Sequence, residues 1–539
     1  MKSRFVVPVL LCLIFFAQGL WFIGTQSLTF DEPVHILGGL DIWKSGRVAA
    51  FEHPPLARAF FTLPLLWRDW PIDFNRRQDA WNDHAPRAWL TWVPADPQGL
   101  AWHTRPMNLL LGVALGALLW ITARCLYSVG AANLTLFLFV FSPAVIAHFS
   151  LATTDGIGVL MIFAAAAQFV VWRRNPSRLQ TAILGVVLGV LLAAKMYTVP
   201  LFLLALGLAV ILRPERPWRK AATMAAIACL VVWATYLFHV SHLRLADGQL
   251  FIQSQGSPDY HLAALHTARS IAIPIPAGEY VTGLIDMFRH SRWGHPSFFL
   301  GNISQNGGWK AYYPMVILLK WPTAVLLLAL SVLYFSLKRR VPLPRDLAIM
   351  LLFPAVFLAL SIFSKIDIGD RHILPVYPFL LLVCGGIWQF HQGRKVALLA
   401  VILFLGLHVA DVMRYAPDYL SYFNVFVDPS NSYQLLSDSN LDWGQGLIAL
   451  RDYQACHPNE TLHVVYFGST YPSQYGVHAE PLREDERVTG TVVVSATHLS
   501  GQLLRHPGSY QWLLQYPRTA ILDHTLHVFQ VPTGATRHN

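Results

Sequence analysis

Long apolar runs separated by short basic clusters fill residues 1–414, and that alternation leaves one class of fold open, a bundle of membrane-crossing helices. Only 13% of the 539 residues are charged, against about 25% in a soluble domain. The formal charge of +10 does not mark a nucleic-acid binder, because the basic residues fall in clusters between apolar runs. Of five cysteines only Cys456 sits in a long polar region, so no disulfide framework is available there. CxxC spacing, the commonest zinc signature, is absent.

The basic clusters set the topology. Lys2 and Arg4 place the N-terminus in the cytoplasm. Residues 1–24 look like a signal peptide, yet no small-x-small cleavage pattern precedes Asp31, so an uncleaved first helix is expected. Spans follow at roughly 5–24, 106–122, 131–149 and 155–172. The run from about 179 to 212 is too long for one helix and has basic clusters at both ends, which requires a hairpin with Lys195 near its outer tip. A span ending near His239 and four more, roughly 311–336, 346–364, 372–390 and 396–413, alternate across inner clusters. Those clusters are Arg213, Arg216, Arg219 and Lys220, then Lys338, Arg339 and Arg340, then Arg394 and Lys395. The expectation is an α-helical polytopic membrane protein of about eleven spans. Its large outer loops cover about 25–104 and 241–310, and residues 415–539 form an extracytoplasmic domain. Short β-rich runs in that region (Leu462 to Phe467, Val488 to Val494, Leu526 to Val531), with helix-compatible Leu447 to Tyr453, predict a small α/β domain without a phosphate-loop motif.

The first outer loop opens with Phe30-Asp31-Glu32-Pro33-Val34-His35, answered by Phe51-Glu52-His53-Pro54-Pro55-Leu56-Ala57-Arg58. A structural reading is available: Asp31 caps a short surface helix with Pro33 in its first turn and apolar Val34, Leu37, Leu40 and Trp43, stopped at Gly46. It leaves Glu32 and Glu52 unexplained beside a lipid boundary, where bare charge is costly. With the expected topology, Asp155, Lys195, Lys365, Asp370, Arg371 and His372 gather on the same outer side. Singly, Asp155 reads as a helix cap, Lys195 as a snorkelling side chain, and Arg371 and His372 as interface anchors. Together they suit a lipid-linked sugar: basic groups hold a phosphate leaving group, and a carboxylate takes the proton of an attacking hydroxyl.

Asp31-Glu32 followed by His35, then His53-Pro54-Pro55-Leu56-Ala57-Arg58, resembles the first-loop signature of protein O-mannosyltransferases. Glu52 before His-Pro-Pro is similar to the lipid A aminoarabinose transferases, in which a Glu before Lys-Pro-Pro can approach a metal. Thr154-Asp155 opening a span, Ala194-Lys195 closing one, Tyr312-Tyr313-Pro314 leading to Leu319-Lys320-Trp321-Pro322, and Arg371-His372-Ile373-Leu374-Pro375 before Tyr377-Pro378 recur in that wider superfamily. The resemblance covers roughly residues 25–380 by motif order. It implies a GT-C type transferase dependent on a polyprenyl-phosphate sugar, inverting, in a bacterial inner membrane with its site facing the periplasm or exterior. On this reading Asp31 is the general base and Glu32 positions the acceptor hydroxyl. His53, Arg58, Asp155, Lys195, Arg371 and His372 bind substrate. Glu52 and Asp155 are the candidates for a divalent metal, Mg or Mn, which the mannosyltransferase likeness does not require. The expected partners are a lipid-linked sugar donor, membrane lipids and an unidentified hydroxyl acceptor, with no nucleic acid. The central outer loop has no room for the β-trefoil domain of many O-mannosyltransferases, which leaves the acceptor open among protein, glycan and lipid. The segment Asp438 to Gln445 resembles one in uncharacterised bacterial members and reads on composition as a solvated turn. A transporter or flippase of lipid-linked sugars is the alternative class. It predicts charge near the bilayer midplane and paired broken helices.

Overall fold

The computed structural model describes residues 5–48, 52–70, 96–212, 216–254, 259–264, 270–339, 343–390 and 395–533. Lys2, Arg4, Phe51, Arg213, Arg340 and Arg394, used above, lie outside the described residues, as do residues 71–95 of the first outer loop. Helices occupy the positions of the predicted spans: α1 (Val6–Thr25), α4 (Pro97–Leu126), the pair α5 (Val129–Val140) and α6 (Pro143–Phe149), α7 (Asp155–Arg174), α8 (Arg178–Ala194), α9 (Val199–Leu212) and α10 (Pro217–Thr235). After the second outer loop come the pair α12 (Tyr312–Lys320) and α13 (Thr323–Arg339), then α14 (Arg345–Met350) with α15 (Leu352–Ile362), α16 (Tyr377–Gly385) and α17 (Lys395–Met413). Among the described residues, 4 helices are long and apolar enough to cross a membrane, or 6 when each bent pair counts as one span. The other apolar helices are shorter, 10–17 residues. The chain is an integral membrane protein.

Two local features shape the bundle. The α5–α6 and α12–α13 pairs bend by 65° and 108°, at Pro143 and Pro322, because proline removes an N–H and its ring disfavours helix at the residue before it. Between α8 and α10, Gly189 lets the backbones meet: a Cβ there would lie 2.6 Å from Val231 Cβ and 2.9 Å from Ala228 Cα.

The first outer loop holds α2 (Glu32–Ser45) and α3 (Pro55–Thr62). The second holds an antiparallel sheet of order β3-β2-β1-β4, formed by β1 (Val240–Ala246), β2 (Gln249–Gln253), β3 (Tyr260–Ala264) and β4 (Ile271–Pro276), followed by α11 (Gly278–Trp293). Beyond α17, helix α18 (Leu447–Cys456) precedes a mixed five-stranded sheet. In it β5 (Leu462–Val465) lies parallel to both β6 (Glu480–Pro481) and β7 (Gly490–Ser495), while β9 (Leu526–Val531) pairs antiparallel with β7 and β8 (Arg518–Leu522). One continuous apolar cluster runs from Phe15 and Leu109 among the helices, through Tyr377 and Trp443, to Val492 and Phe529 in this sheet. The segment Asp438 to Gln445 is buried at every residue, so it is not a solvated turn. It lies between the helical bundle and the sheet, where its polar groups are hydrogen-bonded instead of hydrated.

Candidate active site

Asp31 and Glu32 are adjacent in sequence and differ in every contact. Helix α2 starts at Glu32, with Pro33 in its first turn, and closes at Gly46, whose φ of 67° is the left-handed form glycine adopts freely. Asp31 stands at the N-cap, but its carboxylate makes no capping bond. Instead Asp31 Oδ2 accepts from Arg371 Nη1 at 2.8 Å, and the Asp31 side chain stays 30% exposed.

Glu32 faces inward and is fully buried. Its Oε1 accepts from Arg105 Nε at 2.9 Å and Ala152 N at 2.7 Å; its Oε2 accepts from Arg105 Nη2 at 2.8 Å, Thr29 N at 2.7 Å and Thr29 Oγ1 at 3.0 Å. Five donors leave this carboxylate no oxygen for an acceptor hydroxyl. Burial alone would raise its pKa, but the charge and hydrogen bonds of Arg105 with the Thr29 and Ala152 amides hold it below the usual carboxylate range. Arg105 also donates to Gln26 O at 2.7 Å and Ser27 O at 2.6 Å, fixing the exit of α1.

A second group of charges meets Asp31. Helix α7 begins at Asp155, and the Asp155 carboxylate reaches Lys195 Nζ at 2.9 Å and Arg371 Nη1 at 3.8 Å. Lys195 ends α8 in extended conformation and is buried, so it is a partner of Asp155 and does not snorkel to the interface. Arg371, also buried, stacks 4.1 Å from the centre of the Trp443 ring and does not lie at the lipid surface. Arg371 Nε, Asp155 Oδ2, His372 Nε2 and the Nδ1 atoms of His35 and His53 are buried with no hydrogen-bond partner among the described residues. Burial drives the His35 pKa down to about 4, which keeps that imidazole neutral. The His35 and His53 rings meet edge to face at 5.0 Å.

Arg58 stands apart from this cluster. Its Nη2 donates to His53 O at 2.8 Å, and it packs beneath Gly38 and Gly39 of α2, where a Cβ on Gly38 would meet Nη1 at 2.8 Å. It anchors the His-Pro-Pro turn to α2. Glu52 pairs with His290 on α11: its Oε2 is 2.8 Å from His290 Nδ1, and that bond raises the His290 pKa. Among the described residues no three His, Cys, Asp or Glu side chains converge as metal ligands do.

Sequence reading missed Arg105 and His290, and it took the segment around Trp443, singled out by resemblance, for a solvated turn. Arg105 carried a usable signal, an arginine at the outer end of a long apolar run. Asn440 Oδ1 accepts from Asp370 N at 3.0 Å, and its Nδ2 donates to Tyr312 Oη at 2.7 Å. Lys320 donates to the Asn440 and Leu420 carbonyls, so it is a structural clamp on that segment. Nothing in composition pointed there.

No protein-family model matches the chain, and no curated protein matches it. Among solved structures it is similar to ArnT from Cupriavidus metallidurans bound to undecaprenyl phosphate, with 13% identity and TM-score 0.47 over 99% of this chain and 100% of that one. It is also similar to the S. cerevisiae protein O-mannosyltransferase Pmt1-Pmt2 complex bound to the sugar donor (12% identity, TM-score 0.46, 77% of this chain and 90% of that one). A third is the archaeal oligosaccharyltransferase AglB from Archaeoglobus fulgidus, in complex with an inhibitory peptide and a dolichol-phosphate (11% identity, TM-score 0.48, 92% and 71%).

Proposed function

We propose that the chain is a membrane glycosyltransferase of the GT-C kind. It moves a sugar from a polyprenyl-phosphate carrier to a hydroxyl acceptor at the outer face of a bacterial inner membrane, with inversion. The observation that carries this reading is the cluster of Asp31, Arg371, Asp155 and Lys195, in which Arg371 Nε and Asp155 Oδ2 have no hydrogen-bond partner among the described residues. Buried polar atoms without partners are costly in a finished core and expected where a ligand completes the bonding.

In the reaction, the donor phosphate takes Arg371 and Lys195 as charge partners. Arg371 thereby exchanges Asp31 for phosphate, and Asp31 Oδ2 is released to the acceptor. The acceptor oxygen attacks the anomeric carbon while Asp31 takes its proton. The bond from that carbon to the phosphate oxygen breaks with its electron pair on the oxygen, and polyprenyl monophosphate leaves. Neutral His35, His53 and His372 can donate and accept, which suits sugar hydroxyls. Glu32 holds the loop through Arg105. No step is routed through a divalent ion.

A transporter would also carry bent helix pairs such as α5–α6 and α12–α13. Against it, the paired charges sit at helix ends and connections instead of mid-helix. The test is to incubate the purified protein with a panel of polyprenyl-phosphate sugars and candidate hydroxyl acceptors. Release of carrier monophosphate is expected with at least one donor. Uptake of a lipid-linked sugar across vesicles without release would overturn the enzyme reading.

A further inference from the structure

The segment after the last apolar helix does more than pack. Trp443 is held on both sides of its backbone: its N–H donates to Gln445 Oε1 at 2.7 Å, and its carbonyl accepts from Phe30 N at 2.9 Å. Phe30 immediately precedes Asp31. Gly444 then turns the chain away at φ +87°, where an added Cβ would meet Phe467 O at 2.7 Å. Ser27 ties the same corner, its N–H donating to Gln445 O at 2.9 Å and its hydroxyl to Gly444 O at 3.0 Å.

The indole ring faces the other half of the pair. The Arg371 guanidinium lies 4.1 Å from its centre, and the Arg371 Nη1 that bonds Asp31 belongs to this stacked group. The loop bearing Arg371 is fastened to the same segment, with Ser439 Oγ donating to Ile368 O at 2.5 Å and Asp370 N donating to Asn440 Oδ1 at 3.0 Å. One residue thus contacts Arg371 through its π face and Phe30, the neighbour of Asp31 in the chain, through its backbone. Guanidinium suits this duty: it is weakly hydrated, planar, and can stack while its N–H edge remains free to bond.

We infer that Trp443 is a positioning residue, which holds the Phe30 backbone next to Asp31 and orients the Arg371 guanidinium so that it can exchange the Asp31 carboxylate for a phosphate without leaving its place. A core tryptophan needs only bulk at this position. A positioning tryptophan needs an electron-rich face toward Arg371. The phosphate half of the inference rests on the glycosyltransferase reading; the geometric half does not.

The test is a series of full-length proteins with tryptophan carrying successive ring fluorines at position 443. Fluorine withdraws π electron density with little change of shape, so the series should fold. Each protein is measured with Arg371 intact and in an Arg371→Gln background. With Arg371 present, the unfolding midpoint should fall stepwise with fluorine number, and in the Arg371→Gln background it should stay flat. Equal slopes in the two backgrounds, or no slope in either, would overturn the inference. With Arg371 present, binding of a polyprenyl monophosphate should weaken by about 2- to 30-fold across the series, in step with the strength of a desolvated cation–π contact. The donor KM should rise more than kcat falls. Midpoints that fall only with Arg371 present, while monophosphate binding and KM stay constant, would leave Trp443 a stabilising partner of Arg371 with no part in the exchange and would overturn the phosphate half of the inference. If the unsubstituted protein binds no polyprenyl monophosphate, the glycosyltransferase reading fails, and the midpoint series still decides whether Trp443 orients Arg371.

Discussion

Asp31 and Glu32 share a peptide bond, and each pairs with an arginine, yet the two pairs are built for different ends. Glu32 and Arg105 are fully buried, and the carboxylate meets five donors. Asp31 and Arg371 are 30% and 10% exposed at the side chain, and Arg371 keeps an N–H without a partner among the described residues. The first pair is closed to any ligand. The second can exchange partners. Two acids in a row at a membrane boundary are therefore one strut and one candidate base, and bonding saturation, more than residue type, tells them apart.

The largest effect expected from this contrast is on turnover. Asp31→Asn keeps the shape and loses the proton acceptor, so transfer should fall by about 10²–10⁴-fold. The unfolding midpoint should move little, because a partly exposed pair contributes less than about 1 kcal/mol. Transfer near wild type in a folded Asp31→Asn protein would break the comparison and shift the base elsewhere.

The reverse pattern is expected at the other pair. Arg105→Met strands a buried carboxylate and should cost about 3–5 kcal/mol of stability in denaturant titration. Because the folded pKa of Glu32 lies below its unfolded value, its contribution is present above roughly pH 4.3 and lost as pH falls through the folded value. The acid limb of the stability curve should therefore flatten in Arg105→Met. An Arg105→Met protein as stable as wild type would show that Glu32 is not a strut.

The smallest effect sharpens the contrast with a third acid. The bond to Glu52 raises the pKa of His290, so its contribution is complete below about pH 6.5 and lost as pH rises through the folded value. Both side chains are about one-third exposed, so Glu52→Gln should remove only about 0.2–1 kcal/mol, and only on the acidic side. A loss that persists well above neutral pH would mean that Glu52 has another partner.

The helices were legible because apolar runs and basic clusters are long-range, redundant signals. Three of the five strands after α17 were legible, because β-branched residues cluster in runs such as Val464-Val465 and Val492 to Val494. Helix α2 was legible from Pro33 and Gly46, and so was the N-cap position of Asp31, but the Asp31 carboxylate bonds Arg371, which only the fold brings to it. Glu32 was unreadable for the same reason: Arg105 and the Ala152 amide are tertiary neighbours. The segment from Asp438 to Gln445 was read as solvated because Asp, Ser, Asn, Gly and Gln are turn formers in isolation. Their polar groups are satisfied by partners hundreds of residues away, such as Tyr312 and Ser27.

Those separations impose an order on assembly. Glu32 and Arg105 lie 73 residues apart, so their pair can close early in synthesis. Asp31 and Arg371 are separated by 340 residues, and Ser27 and Gly444 by 417. At ordinary translation rates the last of these partners is made about 20–80 s after the first. The nascent chain therefore carries a braced first loop well before it carries Arg371 or Trp443. Its candidate site can close only after Arg371 and Trp443 have been made and brought to the first loop, so passage of the ribosome beyond residue 443 precedes assembly of the site.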